Sequence, residues 1–243
     1  MSKKVINQNT NYNIEIVNSI GSNFIFGEKP INRLGNKVTN LVENSKNKKI
    51  DKEKELNELK KQIDSIENCN LKNNSKKIVL GDGNINSSIM LIGEAPGIEE
   101  DKTGLTFLGE VGDLLKKMLI AINIKKENIY STYAVNFRPP EDRKPTSTEI
   151  KRYSKFLQKH IAIIQPKIII LMGSTAMESL TGIGSKISIE RGKWKNIIIQ
   201  NTNYNIIITF NPSYLIRFPE NKKYSWADLK QIKKKIDKME III

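Results

Sequence analysis

Three short segments of the 243-residue chain carry the residue types that a reactive pocket needs. In the first, Gly93-Glu94-Ala95-Pro96-Gly97, two glycines and a proline make a tight turn whose backbone amides can face a ligand. Glu94 directly follows an apolar run, so its carboxylate sits at the end of a buried strand. The turn continues into Ile98-Glu99-Glu100-Asp101 and then the loop Gly104-Leu105-Thr106-Phe107-Leu108-Gly109, where Phe107 lies on no helical stripe. The second segment, Asn136-Phe137-Arg138-Pro139-Pro140-Glu141-Asp142-Arg143-Lys144-Pro145-Thr146, is a basic loop pinned by prolines. The third, Asn211-Pro212-Ser213-Tyr214-Leu215-Ile216-Arg217, opens on a polar residue and continues into an apolar wedge ending in a cation. Exposed Leu and Ile beside Arg are what a protein needs to enter a base stack and hold the adjacent phosphate. Each segment also has a plainer account, as a connecting loop or a hydrophobic turn packed on the core.

The elements that must position these segments are legible in the apolar pattern. Four short runs rich in β-branched residues, 89–92, 129–135, 168–172 and 206–210, end at glycine, proline or polar loops, as strands buried on both faces do. Helical patterns lie between them. One covers 108–122, with Leu114, Leu115, Met118 and Leu119 on one stripe. Thr146 and Glu149 form a capping box for a helix reaching about Ile164. Another helix runs from Ser174 to near Gly182, and a last one is expected to be capped by Ser225 and Asp228. The alternation predicts an α/β fold: three layers, with a mainly parallel four-stranded sheet and helices on both faces. Ligands in such folds bind beyond the carboxyl ends of the strands, where the three segments fall. Residues 1–60 are expected to form a polar extension and linker, and 61–243 the folded domain. No internal repeat is evident.

A formal charge of +14 draws polyanions to the surface and points to nucleic acid as partner. One cysteine, Cys69, and one histidine, His160, exclude a disulfide framework and any cysteine- or histidine-rich metal centre. His160 falls inside a helical pattern and is expected to be a surface or half-buried helical residue. No apolar run has transmembrane length and the first residues lack a signal-peptide core, so a cytoplasmic chain without membrane attachment is expected. Neither a Walker-type loop nor a complete dinucleotide fingerprint is present, since Gly81-Asp82-Gly83 lacks the third glycine and the following helix.

Taken together, the segments resemble family-four uracil-DNA glycosylases, in particular the branch found in alphaproteobacteria. That family carries a Gly-Glu-Ala-Pro-Gly turn, a Gly-x-x-Phe-x-Gly loop, an Arg-Pro-Pro loop and a His-Pro-Ser-Tyr-Leu-Leu-Arg segment. Asn68-Cys69-Asn70-Leu71-Lys72, Gly81-Asp82-Gly83-Asn84, Leu171-Met172-Gly173-Ser174-Thr175-Ala176 and Arg191-Gly192-Lys193-Trp194 also match, and residues 20–34 are similar to that branch's N-terminal segment. The resemblance covers about residues 66–235 well. It implies a monofunctional, monomeric hydrolase that removes uracil from DNA, needing no obligate protein partner. It casts Glu94 as the water-positioning, cation-stabilising carboxylate and Asn211 as donor to uracil O2. Phe107 becomes the stacking ring, with Ala95, Pro96 and Gly97 holding the base. Arg138, Ser213, Tyr214, Leu215, Ile216 and Arg217 become the DNA-contacting residues.

The chain departs from the family at defined positions. Tyr133 stands where the family has its base-reading asparagine, and a phenol cannot reproduce the two-point match of a carboxamide. Asn136 is close in sequence but faces the other way along a strand. Asn211 replaces a histidine. Most family members hold a four-iron cluster on four cysteines; here the positions are Ile66, Cys69, Phe137 and Tyr153, so no iron–sulfur cofactor is expected. A homologue that binds DNA without efficient excision is the alternative these departures leave open. A basic nucleic-acid-binding protein without catalysis is another, although Glu94 and its turn are more than binding requires.

Overall fold

The computed structural model describes residues 51–242. The expected extension lies outside the described residues except for its last ten positions. The sheet contains β1 (Asp82–Gly83), β2 (Ile89–Gly93), β3 (Tyr130–Tyr133), β4 (Ile168–Met172), β5 (Trp194–Ile199) and β6 (Thr202–Thr209) in the order β1-β3-β2-β4-β6-β5. The four central strands are parallel, and each edge strand is antiparallel to its neighbour. The sheet is therefore mixed and six-stranded, not four-stranded as expected.

Both missed strands have a physical reason. β1 is too short to show a period. β5 pairs with β6 through a two-residue turn, Gln200-Asn201, with both residues at positive φ (47° and 64°). Such hairpin turns normally announce themselves with Asn-Gly or Asp-Gly, and this pair does not.

The helices are α1 (Lys52–Asp64), α2 (Asn70–Asn73), α3 (Ile98–Thr103), α4 (Gly109–Ile120), α5 (Ser147–Ile164), α6 (Ser174–Thr181), α7 (Ile187–Glu190), α8 (Pro212–Arg217) and α9 (Lys222–Lys238). They cover both faces of the sheet. Met90, Ile92, Ile169, Leu171, Ile206 and Ile208 pack on one face with Leu56, Leu59 and Ile63 of α1 and Leu157 and Ile161 of α5. Ile89, Leu91, Ile168, Ile170 and Ile207 alternate to the other face, against Leu115 and Leu119 of α4 and Leu229 and Ile232 of α9. This two-sided burial explains why the central strands read as continuous apolar runs. Helix α1 crosses the expected boundary at residue 60/61.

Thr146 caps α5 as expected: its hydroxyl accepts the Glu149 N–H, and the Glu149 carboxylate accepts the Thr146 N–H at 2.8 Å. The expected cap of the last helix is corrected. α9 starts at Lys222, after the turn that Pro219 initiates, so Ser225 and Asp228 are interior and buried. Asp228 pairs with Arg191 and accepts the Thr209 hydroxyl at 2.9 Å, tying α9 to the end of β6. Burial pushes its carboxyl up from the ordinary value, against the pull of Thr209 and Arg191. His160 is buried, not half-buried; Nε2 lies 2.9 Å from the Tyr130 hydroxyl, and burial holds the ring neutral with a pKa down at about 3.

Candidate active site

The carboxyl ends of β2, β3 and β6 carry the three segments to one cavity of about 530 Å³. Glu94, Ala95, Pro96, Gly97, Phe107, Tyr133, Asn211, Ser213 and Arg217 all line it. Residues 117 positions apart in the chain thus share one wall, from Glu94 to Asn211.

Two glycines make the convergence possible. A Cβ on Gly93 would come within 2.8 Å of both the Phe107 and the Tyr133 rings, so only glycine lets both rings close over the strand end. Gly173, at φ +103°, lies between the two polar groups of the cavity floor. The point a Cβ would occupy there is 3.6 Å from Asn211 Nδ2 and 3.7 Å from Glu94 Oε2.

Asn211 is fixed by a local duty. It caps α8, its Oδ1 accepting the Ser213 N–H at 3.1 Å. An N-cap needs the oxygen turned toward the helix, which leaves the Nδ2 hydrogens free to donate. Among the described residues no side chain pairs with the Glu94 carboxylate, so its lone pairs are available to water.

Phe107 is held in a left-handed backbone conformation, φ +50°, that a non-glycine residue adopts only when its surroundings impose it. Its N–H donates to the Tyr133 hydroxyl at 2.8 Å, and its ring centroid lies 5.0 Å from that of Tyr133. Lys126 Nζ donates to the carbonyls of Thr106 and Phe107, at 2.7 and 3.2 Å. Asp82 of β1 accepts both the N–H and the hydroxyl of Thr106, at 2.8 and 2.6 Å.

Glu100 is a residue that sequence reasoning missed. It is buried, and its Oε2 accepts the Gly97 N–H at 3.1 Å while Oε1 accepts the Leu108 N–H at 2.8 Å and faces the Tyr133 hydroxyl at 3.4 Å. One carboxylate thus ties the 95–97 turn to the loop of Phe107. The signal was present: Glu100 is the third residue of a helix entered at Gly97, where Glu habitually bonds back to the cap.

Tyr133 therefore lines the cavity with its ring, while its hydroxyl is engaged with Phe107 and Glu100. Burial, then the Glu100 charge, pushes the phenol well above its ordinary value, so it stays protonated. Replacing Tyr133 by Phe is expected to lower stability by about 1–3 kcal/mol, because the Phe107 N–H loses its buried acceptor. Chemical denaturation of the two proteins measures this, and an unchanged midpoint would show that the tether carries nothing.

The remaining sequence assignments divide. Leu215 is not an exposed wedge; it is 1% exposed and belongs to the core. The segment forms helix α8, which turns Leu215 inward. Tyr214 stacks on Phe210, and Tyr214 and Ile216 are half-buried outside the cavity lining. Arg138 does not line the cavity and makes a two-point pair with Asp142, at 2.7 and 2.9 Å. Arg143 and Lys144, from the same loop, do line it. Asn136 faces away, donating to the Val79 carbonyl at 3.0 Å.

The four positions of the resembled metal cluster do come together, but with the wrong donors. Cys69 Sγ lies 3.2 Å from the Tyr153 hydroxyl, the Phe137 ring packs edge-on to Tyr153 at 6.4 Å, and Ile66 packs against the same cluster. One thiol among aromatic and aliphatic side chains does not fit a four-iron cluster. Among the described residues no group of three or more His, Cys, Asp or Glu could hold a metal ion, and no helix is long and apolar enough to cross a membrane.

Residues 80–231 match the uracil DNA glycosylase superfamily. The chain is 39% identical over 154 residues to a type-4 uracil-DNA glycosylase of Thermotoga maritima, covering 63% of this chain and 79% of that protein. It is 32% identical to one from Sulfurisphaera tokodaii over 73% of this chain and 83% of that one. A third, from Archaeoglobus fulgidus, is 29% identical over 73% of this chain and 91% of the relative.

Proposed function

The chain belongs to the uracil DNA glycosylase superfamily, and from that premise we propose that it hydrolyses the N-glycosidic bond of uracil in DNA, leaving an abasic site. The observation that carries the reading is the convergence of Glu94, Phe107, Asn211 and the 95–97 turn on one cavity at the strand ends.

The chemistry follows from what each group offers. The target nucleotide leaves the helix, at a cost of a few kcal/mol, and its base enters the cavity. Phe107 stacks on the base and the Ala95 backbone N–H donates to it; Pro96 has no N–H and that of Gly97 is held by Glu100, so these two residues shape the turn against the base. The bond between sugar C1′ and base N1 breaks with its electron pair leaving on the base. Asn211 Nδ2–H donates to O2, where negative charge develops. Glu94 faces the oxocarbenium-like sugar and orients the water that adds to C1′, accepting the proton that the water gives up. Because water is the nucleophile, the reaction stops at the abasic site, as a monofunctional enzyme's does. Tyr133 serves as a wall beneath the stacking ring and not as a base reader, its hydroxyl being committed elsewhere. Ser213 and Arg217 contact the DNA backbone at the cavity rim, and the +14 charge supplies the wider attraction.

A cytoplasmic monomer of the alphaproteobacterial-type branch, having no need of an iron–sulfur cluster or a protein partner, completes the proposal. The packed Cys69, Phe137 and Tyr153 support the absence of iron. Purified chain is expected to contain neither iron nor acid-labile sulfide; near-stoichiometric amounts of both would reverse this part.

The test of function is incubation with a uracil-containing oligonucleotide followed by alkali to reveal abasic sites. Cleavage is expected from the unaltered chain and not from a Glu94→Ala, Phe107→Ala double variant. No cleavage by the unaltered chain above the background of the double variant leaves DNA binding without excision as the reading.

A further inference from the structure

We infer that Phe218 is the open end of a built stacking platform, on which a base of the DNA strand next to the extruded nucleotide rests. The inference relies on the proposed function for its partner, but its geometry stands apart from the catalytic groups. Phe210, Tyr214 and Phe218, four residues apart in sequence with only Tyr214 inside α8, form a run of three neighbouring rings. Centroids are 5.0 Å apart at 27° between the first two and 4.9 Å apart at 38° between the second and third. The inner end is closed: Phe210 is 5% exposed, and the Arg191 guanidinium lies 5.5 Å from its centroid. The outer end is open. Phe218 is 45% exposed, and among the described residues no ring other than Tyr214 and no cation stacks on it.

Three features select a nucleic-acid base over another occupant. Arg217, the residue before Phe218, lines the cavity, so the run of rings ends at the site's rim. Arg217, Lys222 and Lys223 lie within five residues of Phe218 along the chain, with Glu220 the one acid among them, a local excess of positive charge suited to a phosphate backbone. The outer ring, tilted 38° from Tyr214, leaves a face open to a further aromatic plane, which every base presents and an aliphatic protein side chain does not. Of the two aliphatic residues expected to enter the DNA, Leu215 is buried and Ile216 is half-buried. Phe218 is the large apolar side chain that this segment leaves exposed.

The experiment measures binding of a single-stranded oligonucleotide that contains no uracil, by anisotropy, with the full chain. A second readout is the emission of a fluorescent purine analogue in that strand, which stacking quenches. Phe218→Ala is expected to weaken binding about tenfold and abolish the quenching. The salt dependence should not change, because no charge is removed. Phe218→Trp should keep both, and Phe218→Leu should behave as Phe218→Ala. Unchanged affinity in Phe218→Ala overturns the inference. Full binding by Phe218→Leu also overturns it, because that contact would be apolar and not stacked. Thermal melting of each variant separates lost stacking from lost fold, and Phe218→Leu and Phe218→Trp keep the test open if Phe218→Ala does not fold. Since the probe lacks uracil, a failed excision assay and a failed platform are independent results.

Discussion

Replacing Glu94 by Gln is expected to slow uracil excision by about 10²–10⁴-fold under single-turnover conditions, with little change in DNA binding. The substitution keeps the shape of the side chain and removes only its charge and its capacity to take a proton. Two features of the site place such weight on that charge. Glu94 follows Gly93 at the end of a fully buried strand, so the carboxylate is aimed by the sheet and not by a mobile loop. It lacks a cationic partner among the described residues, whereas Asp142 is paired with Arg138, Glu149 with Arg143, and Glu100 is held by three donors. The pairs differ in consequence too. Arg143 holds the Glu149 carboxyl down at about 2, committing that acid to structure. An unpaired carboxylate beside a forming cation contributes its full field there. A Glu94→Gln chain that excises within about tenfold of the unaltered rate would move the water-positioning role elsewhere in the cavity.

What could be read from the sequence, and what could not, follows from how local each feature is. The parallel core was legible because 89–92 and 168–172 are buried on both faces and so contain no polar interruption. The capping box of Thr146 and Glu149 was legible because both partners lie within one turn. The β5–β6 hairpin was not, because Gln200 and Asn201 adopt positive φ without the glycine that usually marks it. Ser225 and Asp228 have the spacing of a helix start, yet Asp228 is interior because Arg191 and Thr209, far away in sequence, claim its carboxylate. The same holds at the site. Glu94, Phe107 and Asn211 could be picked out as types in loops, and the cavity brings them together. The burial of Leu215 could not be read, because a short helix and an extended wedge have the same sequence until packing decides which face turns inward. Nor could the engagement of Tyr133: its partners, Phe107 N–H and Glu100, lie 26 and 33 residues away.

Asn211 does two things with one amide, and substitutions can separate them. Its oxygen caps α8, and its Nδ2 is the donor proposed for O2 of the leaving base. Asn211→Ala removes both, so it should cost about 1 kcal/mol of stability and about 10²–10³-fold in excision rate. Asn211→Asp keeps a capping oxygen and loses the donor, and Asn211→Ser keeps the oxygen and draws its remaining donor, the hydroxyl, one bond back from the position of Nδ2, so their melting temperatures should stay near that of the unaltered chain. Their excision rates should nonetheless fall at least as far as that of Asn211→Ala. Asn211→Asp should fall further, because it sets a negative charge beside the anion that forms as the bond breaks. Asn211→His restores a donor at some expense to the cap, and it should excise far faster than Asn211→Ser while melting lower. Single-turnover excision measured alongside thermal denaturation across the four variants decides the matter. Were rate to track stability, with Asn211→Ser as active as the unaltered chain, Asn211 would be a helix cap and nothing more. The leaving base would then depend on the Ala95 backbone amide alone.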